Sequence, residues 1–385
     1  MVSFEYYNPV RLQFGPGRFD RLGESVQADE NHALLVTGRS AARKYGYLDR
    51  AVTMLQQAGA QVTVFDRVPP NPTDVVVDEG GQLARDRGCD LVVGLGGGST
   101  MDAAKAIAVS ATHDAPIREF LVADEQGNKR PPTDKTLPIV CVTTTAGTAS
   151  EITPFAVITT SDLRQKSAIA HDRCYARMGI CDPELTYHVP PDITAATGVD
   201  VLCHAVEGYV STKAGALTDH AAEQAIALVG RYLPRLVTDG SNREARHYMS
   251  LANIFAGIPL SNCGANIMHA LEHPVSAHYP QVAHGAGLAS LLVAYGRTCW
   301  ETMPEKFAKI SGLLGGPQEA SRAGDVFAEL LDSVGLNIGL ANLGVPEEML
   351  ERLADDALRY MGGAVSSTPG SPDRDCLLRV LRASH

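Results

Sequence analysis

The chain has no long hydrophobic run: none of its 385 residues lie in an apolar stretch of the roughly 18 positions a membrane-spanning helix needs. It has no Lys/Arg-rich run either, and its net charge of −11 argues against nucleic acid and anionic membrane surfaces as partners. No C-x-x-C pair occurs among eight scattered cysteines, Cys89, Cys141, Cys174, Cys181, Cys203, Cys263, Cys299 and Cys376. In a chain this long that pattern predicts reduced, mostly buried thiols. The opening Met1-Val2-Ser3-Phe4-Glu5-Tyr6 lacks the basic start and apolar stretch of a signal peptide, so a cytoplasmic location is expected. Internal repeats and low-complexity tracts are absent.

What is present is ordinary globular material, 45% hydrophobic and 20% charged. The length exceeds the roughly 250–300 residues at which one core stops growing, so two domains are expected. In the first half, compact β-branched runs at Ala33–Thr37, Gln61–Phe65, Asp90–Leu95 and Leu137–Thr143 alternate with helical patterns such as Leu48–Gln57 and Val75–Arg87. This rhythm predicts βαβ units and a mainly parallel sheet. After Pro190-Pro191, helical periodicity dominates and no strand is expected. The boundary falls near residues 183–192, giving an α/β domain over 1–188 and an all-α domain over 189–385. The tail Ser366–Asp373 reads as a loop before a short closing helix.

Two clusters in the second half carry metal chemistry. Asp200 and His204 are four apart, which puts them on one helical face; His269 and His273 repeat the spacing, with His278 and His284 following. One carboxylate and several imidazoles, with no thiolate, form a ligand set that leaves a divalent metal open for chemistry.

Two glycine-containing loops in the first half suit a dinucleotide. Asp90–Leu95 leads into Gly96-Gly97-Gly98-Ser99-Thr100-Met101-Asp102 and then the helical Ala103–Val109. A strand, a glycine turn and a helix start bring backbone N–H groups to a pyrophosphate at a positive helix end. Ser99 is expected to cap that helix, with Asp102 favouring the same end. The literal G-x-G-x-x-G pattern fails at Ser99, and a tight turn without ligand is the competing reading. The second loop, Thr143–Glu151, sets hydroxyls around Gly147 and competes with a Ser/Thr-rich helix cap. After the first strand come Gly38-Arg39-Ser40 and Arg43, with no acid to accept from a ribose 2′-hydroxyl, which favours NADP(H) over NAD(H). Merely solvated arginines are the alternative.

Taken together, these stretches resemble the iron-containing (group III) alcohol dehydrogenases. The matching pieces are Tyr7-Asn8-Pro9, Phe14-Gly15, Pro70-Asn71-Pro72, Gly96–Ser99 with Asp102 and Lys105, and Thr144–Glu151. They continue through Ala195–Asp200, His204–Tyr209, His269 to His273-Pro274 and His284-Gly285, in family order. The resemblance implies a Rossmann-like dinucleotide domain, a helical domain, and metal and substrate in the cleft between them. It implies Asp200, His204, His269 and His284 as ligands of Fe(II), with Zn(II) or another divalent ion as substitutes. It sets His273 beside the nicotinamide and off the metal. It maps cofactor contacts onto Asn71, Gly97, Gly98, Ser99, Asp102, Thr144, Thr145, Thr153 and Lys166. Gly38 stands where NAD-preferring members often carry Asp, so Gly38 and Arg39 join the cofactor set. A homodimer or larger assembly is also implied.

Two departures stand out. The family's Asn-Pro-Arg segment is replaced by Gly370-Ser371-Pro372-Asp373. Asn262, Cys263 and Asn266 add polarity before His269, either as pocket lining or as hydrogen-bonded helix residues. His278 is expected to be a solvent-exposed loop residue. The reaction expected is hydride transfer between nicotinamide C4 and a small aldehyde or primary alcohol, with the metal polarising the oxygen and His273 moving the proton. A metal-independent maleylacetate-reductase-like enzyme, a dehydroquinate-synthase-like lyase and a non-catalytic binding protein are the alternatives. The lyase would need a Lys/Arg cluster near the ligands, where only Lys213 occurs.

Overall fold

The computed structural model describes residues 4–124 and 127–385, so the first three residues of the opening segment lie outside it. The chain divides into two compact units. One comprises Asn8–Thr145 with Ala149–His188; the other is Val189–His385 with the segment ending at Tyr7 and Ala146–Thr148.

The first unit is a three-layer α/β structure. Its strands are β1 (Arg11–Phe14), β2 (His32–Gly38), β3 (Gln61–Val68), β4 (Leu91–Gly96), β5 (Ile139–Thr143), β6 (Phe155–Thr160), β7 (Gln165–Ala170) and β8 (Met178–Cys181). Its helices are α1 (Ala41–Lys44), α2 (Tyr47–Gln57), α3 (Asp74–Arg87), α4 (Gly98–Ser110) and α5 (Arg118–Leu121). Six strands form a parallel sheet in the order β1-β8-β5-β4-β2-β3. The central strands read as continuous apolar runs because both faces are covered: Leu34, Leu35, Val92, Val93, Val140 and Val142 are all fully buried. Four strands go beyond the sequence expectation. β1 and β8 are four residues long, too short for a period to declare itself. β6 and β7 form a separate antiparallel hairpin.

The second unit is helical. It contains α6 (Pro191–Val210), α7 (Ala216–Thr238), α8 (Arg243–Cys263), α9 (Ile267–His278), α10 (His284–Cys299), α11 (Pro304–Leu313), α12 (Ala323–Ser333), α13 (Leu350–Tyr360), α14 (Gly362–Ser366) and α15 (Arg374–Ala383). Pro191 opens α6 at a position where its missing N–H costs nothing. From Gly198 to Val210 that helix is buried at every residue, and α7, α8 and α10 pack around it. A helix apolar on all sides belongs at the centre of a bundle. Asp200, His204 and Glu207 are therefore polar groups inside a core, where each needs a partner. Among the described residues no helix is long and apolar enough to cross a membrane, and all eight cysteines are free, seven of them buried.

Candidate metal and cofactor sites

In the helical unit, α6 contributes Asp200 and His204 one turn apart, α9 contributes His269 and His273, and α10 begins at His284. The start of α10 presses onto α6 so closely that a Cβ on Gly285 would lie 1.9 Å from the Ala196 carbonyl oxygen. Glycine at 285 is thus what lets His284 reach Asp200.

One carboxylate oxygen is the focus. Asp200 Oδ1 lies 3.5 Å from His204 Nδ1, 3.5 Å from His269 Nε2 and 3.8 Å from His284 Nε2. The ligand atoms of Asp200, His269 and His284 all fall within 4.8 Å of one another. His204 joins through Asp200 and by stacking on His269, with ring centroids 4.4 Å apart. Asp200 Oδ1, His204 Nδ1 and His269 Nε2 are buried and have no hydrogen-bond partner. Each such orphan costs about 1–3 kcal/mol. Donors held 2.0–2.2 Å from one shared cation would stand roughly 3.3–3.6 Å apart. That is nearly the spacing seen here, and it is too long for hydrogen bonds among the donors. The residues fit a divalent metal.

Electrostatics point the same way. Burial by itself would raise the Asp200 carboxyl, but the three facing imidazoles outweigh it and hold it well below the usual range. Burial pushes His204 down to about 4, so it is a neutral donor at neutral pH. Burial also opposes charge on His269, yet Glu207 and Asp200 prevail and raise its pKa.

Two glutamates that the sequence reading gave no role complete the arrangement. Glu207, fully buried on α6, contacts His269 Nδ1 with Oε2, while its Oε1 accepts the backbone N–H groups of Met268 (2.8 Å) and His269 (3.2 Å). Glu272, fully buried on α9, contacts His284 Nδ1. Each carboxylate turns the other ring nitrogen toward Asp200 and fixes its tautomer. The available signal was spacing: Glu207 lies three residues after His204, and Glu272 three after His269.

His273 is buried but aims elsewhere. Its ring meets those of His269 and His284 edge-on, at 6.3 and 5.8 Å, and its ligand atom groups with Glu272 and His284 instead of Asp200. Shared i,i+4 spacing with His269 therefore does not translate into a shared focus.

Two sequence expectations change. His278 is not a solvent-exposed loop residue: it ends α9 and bonds Asp356 at 2.8 Å, because Asp356 is itself buried and needs cationic or N–H partners. Ser99 does not cap α4, since that helix starts one residue earlier with Gly97 as its cap. Asn262, Cys263 and Asn266 match the hydrogen-bonded alternative, with partners Ile258 and Tyr7, Lys213, and Glu207 and Ser367 respectively.

In the α/β unit, the glycine turn links β4 to α4, an Ala-rich helix almost wholly buried. Thr144 donates its N–H to Gly96, and a Cβ on Gly97 would approach Thr145 Oγ1 to 3.0 Å, so the two loops lie side by side. Gly98 is buried, and Ser99, Thr144 and Thr145 are half-buried. Asn71 adopts a left-handed φ of 49°, a conformation asparagine tolerates better than most residues. Asp102 accepts from Ser150 Oγ (2.6 Å) and from the Val157 N–H (3.1 Å). Lys105 Nζ donates to Ser150, Thr153 and Phe155 oxygens at 2.6–2.9 Å. Burial raises the Asp102 carboxyl, with Lys105 and Lys166 opposing. Gly38 ends β2 and Arg39 is exposed, while Arg43 pairs with Asp66 at 2.9 Å.

Comparison with known proteins agrees with this architecture. The model for "Iron-containing alcohol dehydrogenase" matches residues 9–183, and that for "Fe-containing alcohol dehydrogenase family, C-terminal" matches residues 194–385. The chain is 37% identical to a 1,3-propanediol dehydrogenase of Klebsiella pneumoniae, covering 98% of each chain. It is 32% identical to an NAD-dependent methanol dehydrogenase of Bacillus methanolicus, covering 91% of this chain and 92% of the relative. The solved structure of an archaeal halo-thermophilic alcohol dehydrogenase from a Red Sea brine pool superposes with a TM-score of 0.94 at 34% identity, covering 100% of both chains. Sheet, bundle and relatives together define an oxidoreductase of the alcohol dehydrogenase type. The chain belongs to the iron-containing alcohol dehydrogenase family, a membership that implies a divalent metal and a nicotinamide dinucleotide.

Proposed function

We propose that the protein is a metal-dependent reductase of small aldehydes, reversible toward primary alcohols, that prefers NADP(H). In this reading Asp200, His204, His269 and His284 hold one divalent cation, Fe(II) in the native state, with Zn(II) or another divalent ion as a substitute. The carrying observation is the set of buried, partnerless donor atoms of Asp200, His204 and His269. When bound, the cation supplies Lewis-acid stabilisation of a carbonyl or alkoxide oxygen, worth several kcal/mol, and the nicotinamide supplies the hydride.

The chain's own residues do the rest. Gly97, Gly98 and Ser99 at the start of α4, with Asn71, Thr144 and Thr145, offer backbone N–H groups and hydroxyls to the dinucleotide phosphates. Asp102, Thr153 and Lys166 brace that surface. Gly38 and Arg39 face the ribose end: Gly38 supplies no carboxylate, and Arg39 is the cation left for a 2′-phosphate, since Arg43 is held by Asp66. One relative is NAD-dependent by name, so the preference rests on these residues of the chain itself. His273, buried beside the ligand histidines, moves the proton that hydride transfer requires. The unit of Asn8–Thr145 with Ala149–His188 then forms the dinucleotide-binding half and the helical unit the catalytic half. The assembly is a cytoplasmic homo-oligomer serving a small-molecule substrate, without nucleic acid or membrane.

The orphaned donors disfavour a metal-independent maleylacetate-reductase-like reaction, which would leave their cost uncompensated. The test is an NADPH-oxidation screen after anaerobic loading with Fe(II) or Zn(II), over short aliphatic, hydroxylated, carboxylated and phosphonylated aldehydes. Turnover that vanishes on chelation and returns with metal is expected. Full turnover after chelation contradicts the reading, as does turnover without net change in cofactor absorbance, the mark of the dehydroquinate-synthase-like lyase.

A further inference from the structure

Glu272 has no part in the ligand set. It is fully buried on α9. Its surroundings are built for it. Oε2 contacts His284 Nδ1, and the Ser276 hydroxyl, one turn along α9, donates to Oε1. On the facing helix, residue 287 is glycine, where a Cβ would come within 2.9 Å of Glu272 Cγ and Oε1. Gly287 therefore opens the space that the carboxylate fills.

The two buried glutamates are not equivalent. Glu207 holds His269, whose side chain is only 4% exposed, and is itself pinned by two backbone N–H groups at the start of α9. Glu272 holds His284, whose side chain is 23% exposed and which sits at the first position of its helix. His284 is the least enclosed of the four donors, so packing restrains its ring least. We infer that Glu272 is a positioning residue: it locks the His284 ring with Nε2 toward Asp200 and, as an anion, raises the donor strength of that imidazole, which sets how firmly the site keeps its cation. A carboxylate behind a ligating histidine typically contributes about 10–100-fold in metal affinity.

The inference rests on the metal reading above, and the test separates the two. Zn(II) and Co(II) affinities are measured by chelator competition for wild type, Glu272→Gln, Glu272→Ala and Ser276→Ala, with cation stoichiometry and Co(II) absorption spectra alongside. Wild type should bind one cation per chain. Glu272→Ala should lose about 10–100-fold in affinity with an altered Co(II) spectrum, and Glu272→Gln, which keeps the shape without the charge, should lose less. Ser276→Ala should shift affinity in the same direction by a smaller factor. Circular dichroism and melting of the metal-free variants check folding, and the glutamine variant carries the test if the alanine variant does not fold. No cation in wild type overturns the metal reading itself. Wild-type affinity and spectrum in both Glu272 variants overturn only the positioning role. Two cations in wild type and one in Glu272→Gln would overturn it differently, by making Glu272 a ligand.

Discussion

Each unit buries charged groups in its core, and one cluster from each shows two opposite ways of doing so. In the α/β unit, Asp102 and Lys105 are closed on themselves: both carboxylate oxygens accept hydrogen bonds, and the ammonium reaches four oxygens. In the helical unit, the Asp200 cluster has donors that converge without touching. Buried charge is tolerated when compensated. The first cluster supplies its own compensation and is architecture. The second leaves it to something that arrives from outside, which is what a binding site looks like when read as an energy balance.

The sharpest way to break this contrast is to remove one donor from the open cluster. His269→Ala should abolish turnover and tight metal binding together, and should also lower the melting temperature of the metal-free chain, since it strands the fully buried Glu207 carboxylate that contacts His269 Nδ1; steady-state assay, elemental analysis and a melting curve check all three. His273→Ala should keep stoichiometric metal yet lower kcat by about 10²–10⁴-fold, the usual contribution of a positioned proton-transfer group. Loss of metal in that variant would make His273 a ligand instead. The closed cluster should respond in stability, not in metal binding. Lys105→Met strands several buried acceptors beside Asp102 and should cost about 3–5 kcal/mol in denaturant unfolding, with metal content per folded chain unchanged. The smallest effect falls at the surface: Arg39→Ala should raise the KM for NADPH by about 10-fold and leave that for NADH unaltered, a loss of about 1.4 kcal/mol.

The open cluster was partly legible in the sequence; the closed one was not. Asp200 and His204 announce themselves because i,i+4 spacing survives folding of a single helix, and the apolar strand runs announce a sheet covered on both faces. What stayed hidden depends on packing between elements. Glu272 means something only once Gly287 of the next helix opens room for it and His284 turns toward it. His269 and His273 share one helical face, yet only the packing of α6 against α9 decides which of them meets Asp200. Asp356 likewise captures His278 from 78 residues away. The short strands β1 and β8 escaped because their strand character comes from sheet neighbours and not from four residues of pattern.

The decisive measurement is the cation content of the purified chain, loaded anaerobically with Fe(II) and freed of excess, in wild type and in Asp200→Asn. One iron per chain in wild type and essentially none in the variant is the predicted result. Iron retained at full stoichiometry without the Asp200 carboxylate, or no iron in wild type, would contradict the account.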